Sequence, residues 1–460
     1  MDFSASNTAL WNSFIQLGIL SGILLAANVL RRKVPLIRKS LMPTAVLGGF
    51  LAMILRMSGI INIDGGFLES ITYHTIALGF IALSLRVPEK NAGNRKGHLT
   101  APKSGALIVS TYLVQGIIGI IITAGLAYTV MPGLFKAAGV LLPMGYGQGP
   151  GQANNVGATY EQLGFKGGQS FGLSIAAAGF LCACVVGVIY LNILHKQKKI
   201  VVQAHNYDSE PVAVEDFQND NEIPISQSID RLSIQTALVL LVYLAAYLVS
   251  LGATSLLGAY APGLSKTLSP LIWGFNFIIG SLIAMLFKKA LNLLTACRIM
   301  VRQYPNNYLL NRISGCAFDF MIVAGIAAID IKDLKGLWLP FFIMAVAGGW
   351  ITFIYLEWLC KKLYPGYFYE GMLSMYGMLT GTISSGVLLL REIDPTYKTP
   401  AANNLLTGSS FAIVFGVPML VLIGLAPESD ASLFITLGLM VIYLILLLLF
   451  MLKFKPEKDT

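Results

Sequence analysis

Gly145-Tyr146-Gly147-Gln148-Gly149-Pro150-Gly151-Gln152 interrupts an apolar stretch, 134–163, that would otherwise read as one more membrane helix. Glycine at every second position, with a proline among them, holds a regular helix poorly, because glycine loses most backbone entropy on ordering and proline lacks the N–H donor. A second apolar stretch, 366–392, is broken in the same way by Tyr376-Gly377-Met378-Leu379-Thr380-Gly381-Thr382-Ile383-Ser384-Ser385-Gly386. The arm on either side of each break is about 11 residues, roughly 16 Å of helix at 1.5 Å per residue, or half the apolar thickness of a bilayer.

Around these breaks the chain is apolar almost throughout. Its 460 residues are 55% hydrophobic and only 12% charged, with a mean hydropathy of +0.70, whereas a soluble domain carries roughly 25% charged residues. Hydropathy predicts an all-α polytopic membrane protein of about eleven spans, near 11–30, 41–58, 71–86, 104–131, 168–194, 233–258, 268–287, 312–330, 336–359, 403–424 and 431–452. The polar stretch 196–232 reads as a cytoplasmic linker, dividing a first half, 1–195, from a second, 233–425. Residues 426–460 add the final span and a short cytoplasmic tail. The formal charge of +9 sits in short clusters between spans, as in cytoplasmic loops, so no nucleic-acid partner is expected. The five cysteines lie in or beside apolar segments and read as small buried hydrophobes. Cys182 and Cys184, separated by a single residue, do not have zinc-ligand spacing. No basic region precedes the first span, which is therefore expected to insert uncleaved.

Whether the broken stretches cross the membrane or turn back is arbitrated by lysine and arginine, which accumulate in short cytoplasmic loops. If both turn back and the N-terminus is outside, 26 of the 32 fall in cytoplasmic loops. Only Lys136, Lys166, Lys266, Lys332 and Lys335 fall outside, with Arg56 in the second span. If both crossed, the division would be 19 against 12. Two re-entrant hairpins are predicted, 134–163 from outside and 366–392 from the cytoplasm, with the C-terminus cytoplasmic. Five spans per half invert the second half relative to the first, and an offset of 231 brings Gly145–Gly151 onto Tyr376–Thr382 and Glu161 onto Glu392. Inverted repeats with interrupted helices meeting near the midplane are the usual build of secondary transporters.

A broken helix leaves N–H and C=O groups without partners, which in lipid costs several kcal/mol each, of order 1–3 or more. Half-helix N-termini favour a carboxylate, and freed carbonyls favour a cation such as sodium. The predicted substrate site is therefore built from Gly145, Tyr146, Gly147, Gln148, Gly149, Gly151 and Gln152, with Asn154 and Asn155 beyond them, and from Gly377, Thr380, Gly381, Thr382, Ser384 and Ser385. Asp319, mid-span, is the first candidate cation ligand, since an ionised carboxylate at that depth demands a partner or a cavity. His74, in the counterpart span by order, is the second.

The run Gly145-x-Gly147-x-Gly149-x-Gly151, followed by Tyr160 and Gly164-Phe165, together with the order of spans over 10–425, resembles the bacterial sodium/glutamate symporter family. Gly377, Thr380-Gly381-Thr382 and Pro395 resemble that family's second glycine-containing loop. The resemblance implies a sodium-coupled symporter of glutamate or a similar anionic amino acid in the bacterial inner membrane, working as a homodimer by alternating access, with no cofactor beyond the coupling ion. The chain departs from the family in having no histidine in its first loop, fewer glycines in its second, and the additional span 431–452.

Other classes fit less well. An embedded enzyme needs a nucleophile and base or a metal at bilayer depth, and of four histidines only His74 lies in a span, so no enzyme is expected. A passive channel shares glycine-broken helices but repeats around a pore by subunits rather than by inversion. Within carriers, a citrate-like hydroxycarboxylate, a proton-coupled solute or a neutral solute is the alternative cargo. Arg56 is expected to snorkel to the interface, and 288–303 to lie as an amphipathic helix on the inner leaflet.

Overall fold

In lipid, every backbone polar group must be satisfied within the segment, which leaves helices as the only open-ended spanning element. A computed structural model describes residues 4, 6–39, 41–87, 100–200, 228–262, 265, 269, 272–274, 276–297, 304–394 and 399–453. Residues 201–227 of the linker, His98, His205, residues 298–303, Pro395 and the tail beyond Lys453 lie outside the described residues, as does the side chain of Ser384. The described elements are α1 Thr8–Lys33, α2 Pro35–Lys39, α3 Thr44–Met57, α4 Gly65–Leu85, α5 Thr100–Thr129, α6 Leu141–Tyr146, α7 Pro150–Gln162 and α8 Gly168–Lys196. There follow α9 Ser228–Tyr260, α10 Asn276–Ala296, α11 Asn307–Ala327, α12 Trp338–Leu363, α13 Phe368–Thr380, α14 Ile383–Arg391, α15 Ala401–Leu425 and α16 Asp430–Lys453.

Ten of these are long and apolar enough to cross a bilayer, and α3 is a shorter apolar helix. The chain is an all-α, multi-pass membrane protein. Helix α3 is shorter than the span predicted at 41–58, because Pro43 caps its start and Gly59, at φ +74°, turns the chain just beyond its end. Of the segment 288–303, read as an amphipathic helix on the inner leaflet, residues 288–296 continue α10 without a break, and 298–303 lie outside the described residues. There Lys288 Nζ donates to the carbonyls of Ser84 and Arg86 (2.9 and 2.8 Å), the orphan acceptors at the end of α4.

The chain forms two compact units that cut across the halves read from sequence: 1–73, 98–202 and 319–460 make one, and 74–97 with 203–318 make the other. The smaller unit is built on a core of Ile81, Leu85, Val239, Val242, Ala284 and Leu310. Asn307 clamps the end of α4 from both sides, accepting from Val87 N and donating to Val87 O (2.8 and 2.7 Å).

In the larger unit α5 is buried along most of its length and organises the rest. Helix α12 runs antiparallel beside it, joined by Ser104 to Tyr364 (2.7 Å), Ser110 to Tyr355 (2.8 Å) and Gln115 to Thr352 (2.8 Å). The final helix, α16, also belongs here. Met440 meets Gly116 of α5, the Tyr443 hydroxyl donates to Phe415 O of α15 (2.6 Å), and Asp430 accepts from Lys136 and from Tyr128. The Asp430 carboxylate holds the Lys136 ammonium above the ordinary lysine range.

Arg56 does not merely snorkel. Its Nε donates to Ile63 O (3.2 Å) and its guanidinium to Ala327 O (3.1 Å), closing the loop after α3 and the end of α11. Arg56→Met is expected to leave both carbonyls without donors and to lower stability by about 1–3 kcal/mol. Thermal unfolding in detergent checks this, and an unchanged Tm would refute it.

Candidate functional site

Each broken stretch folds as a helical hairpin. In the first, a 3-10 turn, Lys136–Val140, leads into α6. The chain then breaks at Gly147–Gly149 and returns as α7. Its two ends lie together: the Phe135 ring stacks on Phe165 and tilts against Tyr160, with centroids 5.0 and 5.4 Å apart. Gly149 takes φ +86° at the N-cap, a left-handed conformation that costs glycine little. Pro150 follows at the first helical position, where its missing N–H removes no bond. In the second hairpin α13 ends at Thr380 and α14 begins at Ile383, and the arms meet glycine to glycine. A Cβ on Gly377 would lie 2.9 Å from Gly386 Cα. The second arms start at Pro150 and Ile383, two positions beyond the alignment that an offset of 231 gives.

The hairpins enter from opposite ends of the α5/α12 pair. The first follows the C-terminal end of α5, whereas the second follows the C-terminal end of α12, which the Tyr364 hydroxyl ties to Ser104 near the start of α5. Their tips meet in between. A Cβ on Gly149 would lie 3.4 Å from Thr382 Cγ2 and 3.6 Å from Gly381 O. Gly179 of α8 underlies both tips, with Thr380 O and the Tyr146 ring against it.

Around the tips, five buried side-chain atoms have no hydrogen-bond partner among the described residues: Gln115 Oε1, both Gln152 Oε1 and Nε2, Thr382 Oγ1 and Ser385 Oγ. Gln115 and Gln152 are 0% exposed and Ser385 3%. Each such atom costs on the order of 1–3 kcal/mol relative to a satisfied one, a cost that structural positions rarely carry. Gln152 and Ser385 hold the same place, the third residue of the second arm, beside the positive end of a helix dipole. Ligands able to donate and accept would satisfy all five.

The other predicted residues divide by role. Gly145 packs on Ala176 and Ile175 of α8, and the Tyr146 hydroxyl donates to Ala345 O (2.6 Å). Gly147 lets the Tyr112 ring and Gln115 approach. Gln148 is half-buried and Gly151 buried. Asn154 accepts from Gln169 Nε2 (2.8 Å) and donates to Asn155 Oδ1 (3.4 Å), which makes this pair part of the α7–α8 seam. Thr380 turns its hydroxyl to Tyr376 O of its own helix (2.7 Å), and Gly381 packs against Ser385 and Phe180. Ser384 stands beside Ser385 in the first turn of α14.

Asp319 is half-buried on α11 and makes no hydrogen bond or ion pair among the described residues. Two turns further along, Gly325 meets Pro150 at the start of α7. His74 belongs to the smaller unit, where its Nδ1 shares a hydrogen bond with the Tyr243 hydroxyl (2.7 Å) that also accepts from Asn276 Nδ2 (3.2 Å). Sequence reasoning missed Gln115 and Thr352, whose only signal is a polar side chain in the middle of a long apolar helix. No family model matches the chain and no curated protein matches it.

Proposed function

We propose that the chain is a secondary active transporter, a sodium-coupled symporter of glutamate or a similar anionic amino acid. The observation that carries this is the cluster of unpartnered buried polar atoms where two hairpins from opposite ends meet. In this reading the two halves are inverted repeats and the hairpins re-entrant, so either face can be opened without rebuilding the site. Sodium binds first, on carbonyls of the breaks and on Asp319, and the N-termini of α7 and α14 then take the substrate carboxylate. Each net positive charge moved inward gains about 2.3 kcal/mol per 100 mV, which drives accumulation. The protein works as a homodimer in a bacterial plasma membrane, N-terminus outside.

A second reading, a neutral or citrate-like cargo with or without proton coupling, draws on one observation: the five unpartnered tip atoms belong to glutamine, threonine and serine, with no fixed positive charge among them. Uptake of labelled glutamate into proteoliposomes, with and without an inward sodium gradient, separates the readings when aspartate, citrate and neutral amino acids compete. Sodium-driven uptake blocked by glutamate is expected, and uptake that persists without any gradient would point to a channel. Asp319→Asn is expected to weaken the sodium dependence of that uptake by about tenfold, the loss of one charge-assisted contact; an unaltered sodium response removes Asp319 from the site.

A further inference from the structure

Gln115 stands halfway along α5, fully buried. Its Nε2 donates to Thr352 Oγ1 on α12 (2.8 Å) and to Leu379 O in the last turn of α13 (2.9 Å). A carbonyl can only accept, so the atom facing Leu379 must be the nitrogen, and with both of its hydrogens committed the amide cannot turn over. Its Oε1 is thereby held toward the first break, 3.0 Å from where a side chain on Gly147 would begin, and no donor among the described residues meets it. Gln115 is thus a side chain that touches both hairpins: through its nitrogen the end of α13, and through its oxygen the gap between α6 and α7.

An oriented, buried acceptor with no donor calls for a donor or a cation from outside the chain. The other unpartnered tip groups add acceptors, Gln152 Oε1 and the hydroxyl oxygens of Thr382 and Ser385, beside one amide donor, Gln152 Nε2, with Gly381 O close to Gly149. The end of α13 adds the negative pole of its helix dipole. We propose that Gln115 is a ligand-binding residue whose Oε1 receives a cationic group, either the ammonium of a zwitterionic solute or a coupling metal cation, and whose Nε2 ties the seating of the second hairpin to that occupancy. The proposal rests on the transport reading for its ligand but not for its test, which is a binding measurement.

The full-length protein in detergent is titrated with sodium chloride against choline and potassium chloride, and then, at fixed sodium, with glutamate against glutarate, which lacks the ammonium. The shift of the unfolding transition is the readout, in wild type, Gln115→Leu, Gln115→Glu and Thr352→Val. Leucine is expected to raise the midpoint concentration of the bound cation by about tenfold or more, the loss of one hydrogen bond to a charged group. Glutamate at 115 keeps the acceptor and is expected to preserve the response while lowering the unliganded Tm. Thr352→Val, which removes only a partner of Nε2, is expected to stay within about threefold. A midpoint moved for sodium assigns the metal, and one moved for glutamate but not for glutarate assigns the ammonium. Wild-type midpoints in Gln115→Leu, or no response to sodium or glutamate in wild type, overturn the proposal. Should Gln115→Leu not fold, loss of the response in Gln115→Glu overturns it and retention supports it. Transport is scored separately: a cation response that needs Gln115 in a protein that carries nothing across a bilayer would sink the symport reading and leave Gln115 assigned.

Discussion

Gly139→Ala is expected to remove nearly all folded protein, although it adds a single methyl group. Gly139, in the 3-10 turn that opens the first hairpin, lies against Gly119 of α5 backbone to backbone. A Cβ on Gly119 would come 2.8 Å from the Gly139 carbonyl carbon and 3.1 Å from its Cα, and a Cβ on Gly139 would overlap the Gly119 peptide more severely. Small residues allow such approaches between membrane helices, and here the obstacle on either side is main chain, which cannot rotate away. Thr123 fixes the register, its hydroxyl donating to Lys136 O (2.6 Å) and accepting from Gly139 N (3.2 Å). The methyl must therefore displace the hairpin entrance as a body, at a cost of about 3 kcal/mol or more, the upper end of overpacking penalties. Gly125→Ala, in the same helix with nothing within 4 Å of its added Cβ, is the control and should stay within about 0.5 kcal/mol of wild type. Size-exclusion profiles and Tm in detergent decide, and a Gly139→Ala protein as abundant and stable as the control would mean that this contact does not hold the hairpin.

The breaks were legible because their signal is local. Glycines at alternate positions and a proline at a helix start declare a discontinuity wherever they stand, so the helix breaks appear in the structure, between Tyr146 and Pro150 and between Thr380 and Ile383. The partners of the tips are not local. Gln115 reaches Leu379 across 264 positions, and nothing around Gln115 in the sequence distinguishes it from a glutamine that hydrogen-bonds to its own helix. The same limit explains Lys288, whose neighbours suggest a leaflet-facing amphipathic helix while its ammonium is spent on carbonyls 204 and 202 positions away. Among the predicted site residues, sequence could not separate those that face the gap from those that build its walls. Gln152 and Asn154 are two residues apart and equally polar, yet among the described residues one is without a partner and the other is bonded to Gln169.

That difference gives the second large effect. Gln152→Leu is expected to leave the Tm unchanged or raise it, while uptake falls by about tenfold or more, the loss of at least one ligand hydrogen bond. Gln152 is wholly buried and neither amide atom meets a partner among the described residues, so in the empty protein the amide carries a desolvation penalty of about 1–3 kcal/mol that an apolar side chain of similar size does not. Asn154→Leu should behave in the opposite way: it strands Gln169 Nε2, which loses its acceptor, and so lowers the stability by about 1–3 kcal/mol and the Tm with it. Both substitutions sit on α7 within one turn of each other, so a general weakening of the hairpin would move both proteins together. Only a side chain kept for a ligand, at the expense of the fold, gains stability as it loses function. If Gln152→Leu instead melts early, the amide is satisfied within the protein and the tip is a packing joint; if it transports at the wild-type rate, the site lies elsewhere on the hairpins.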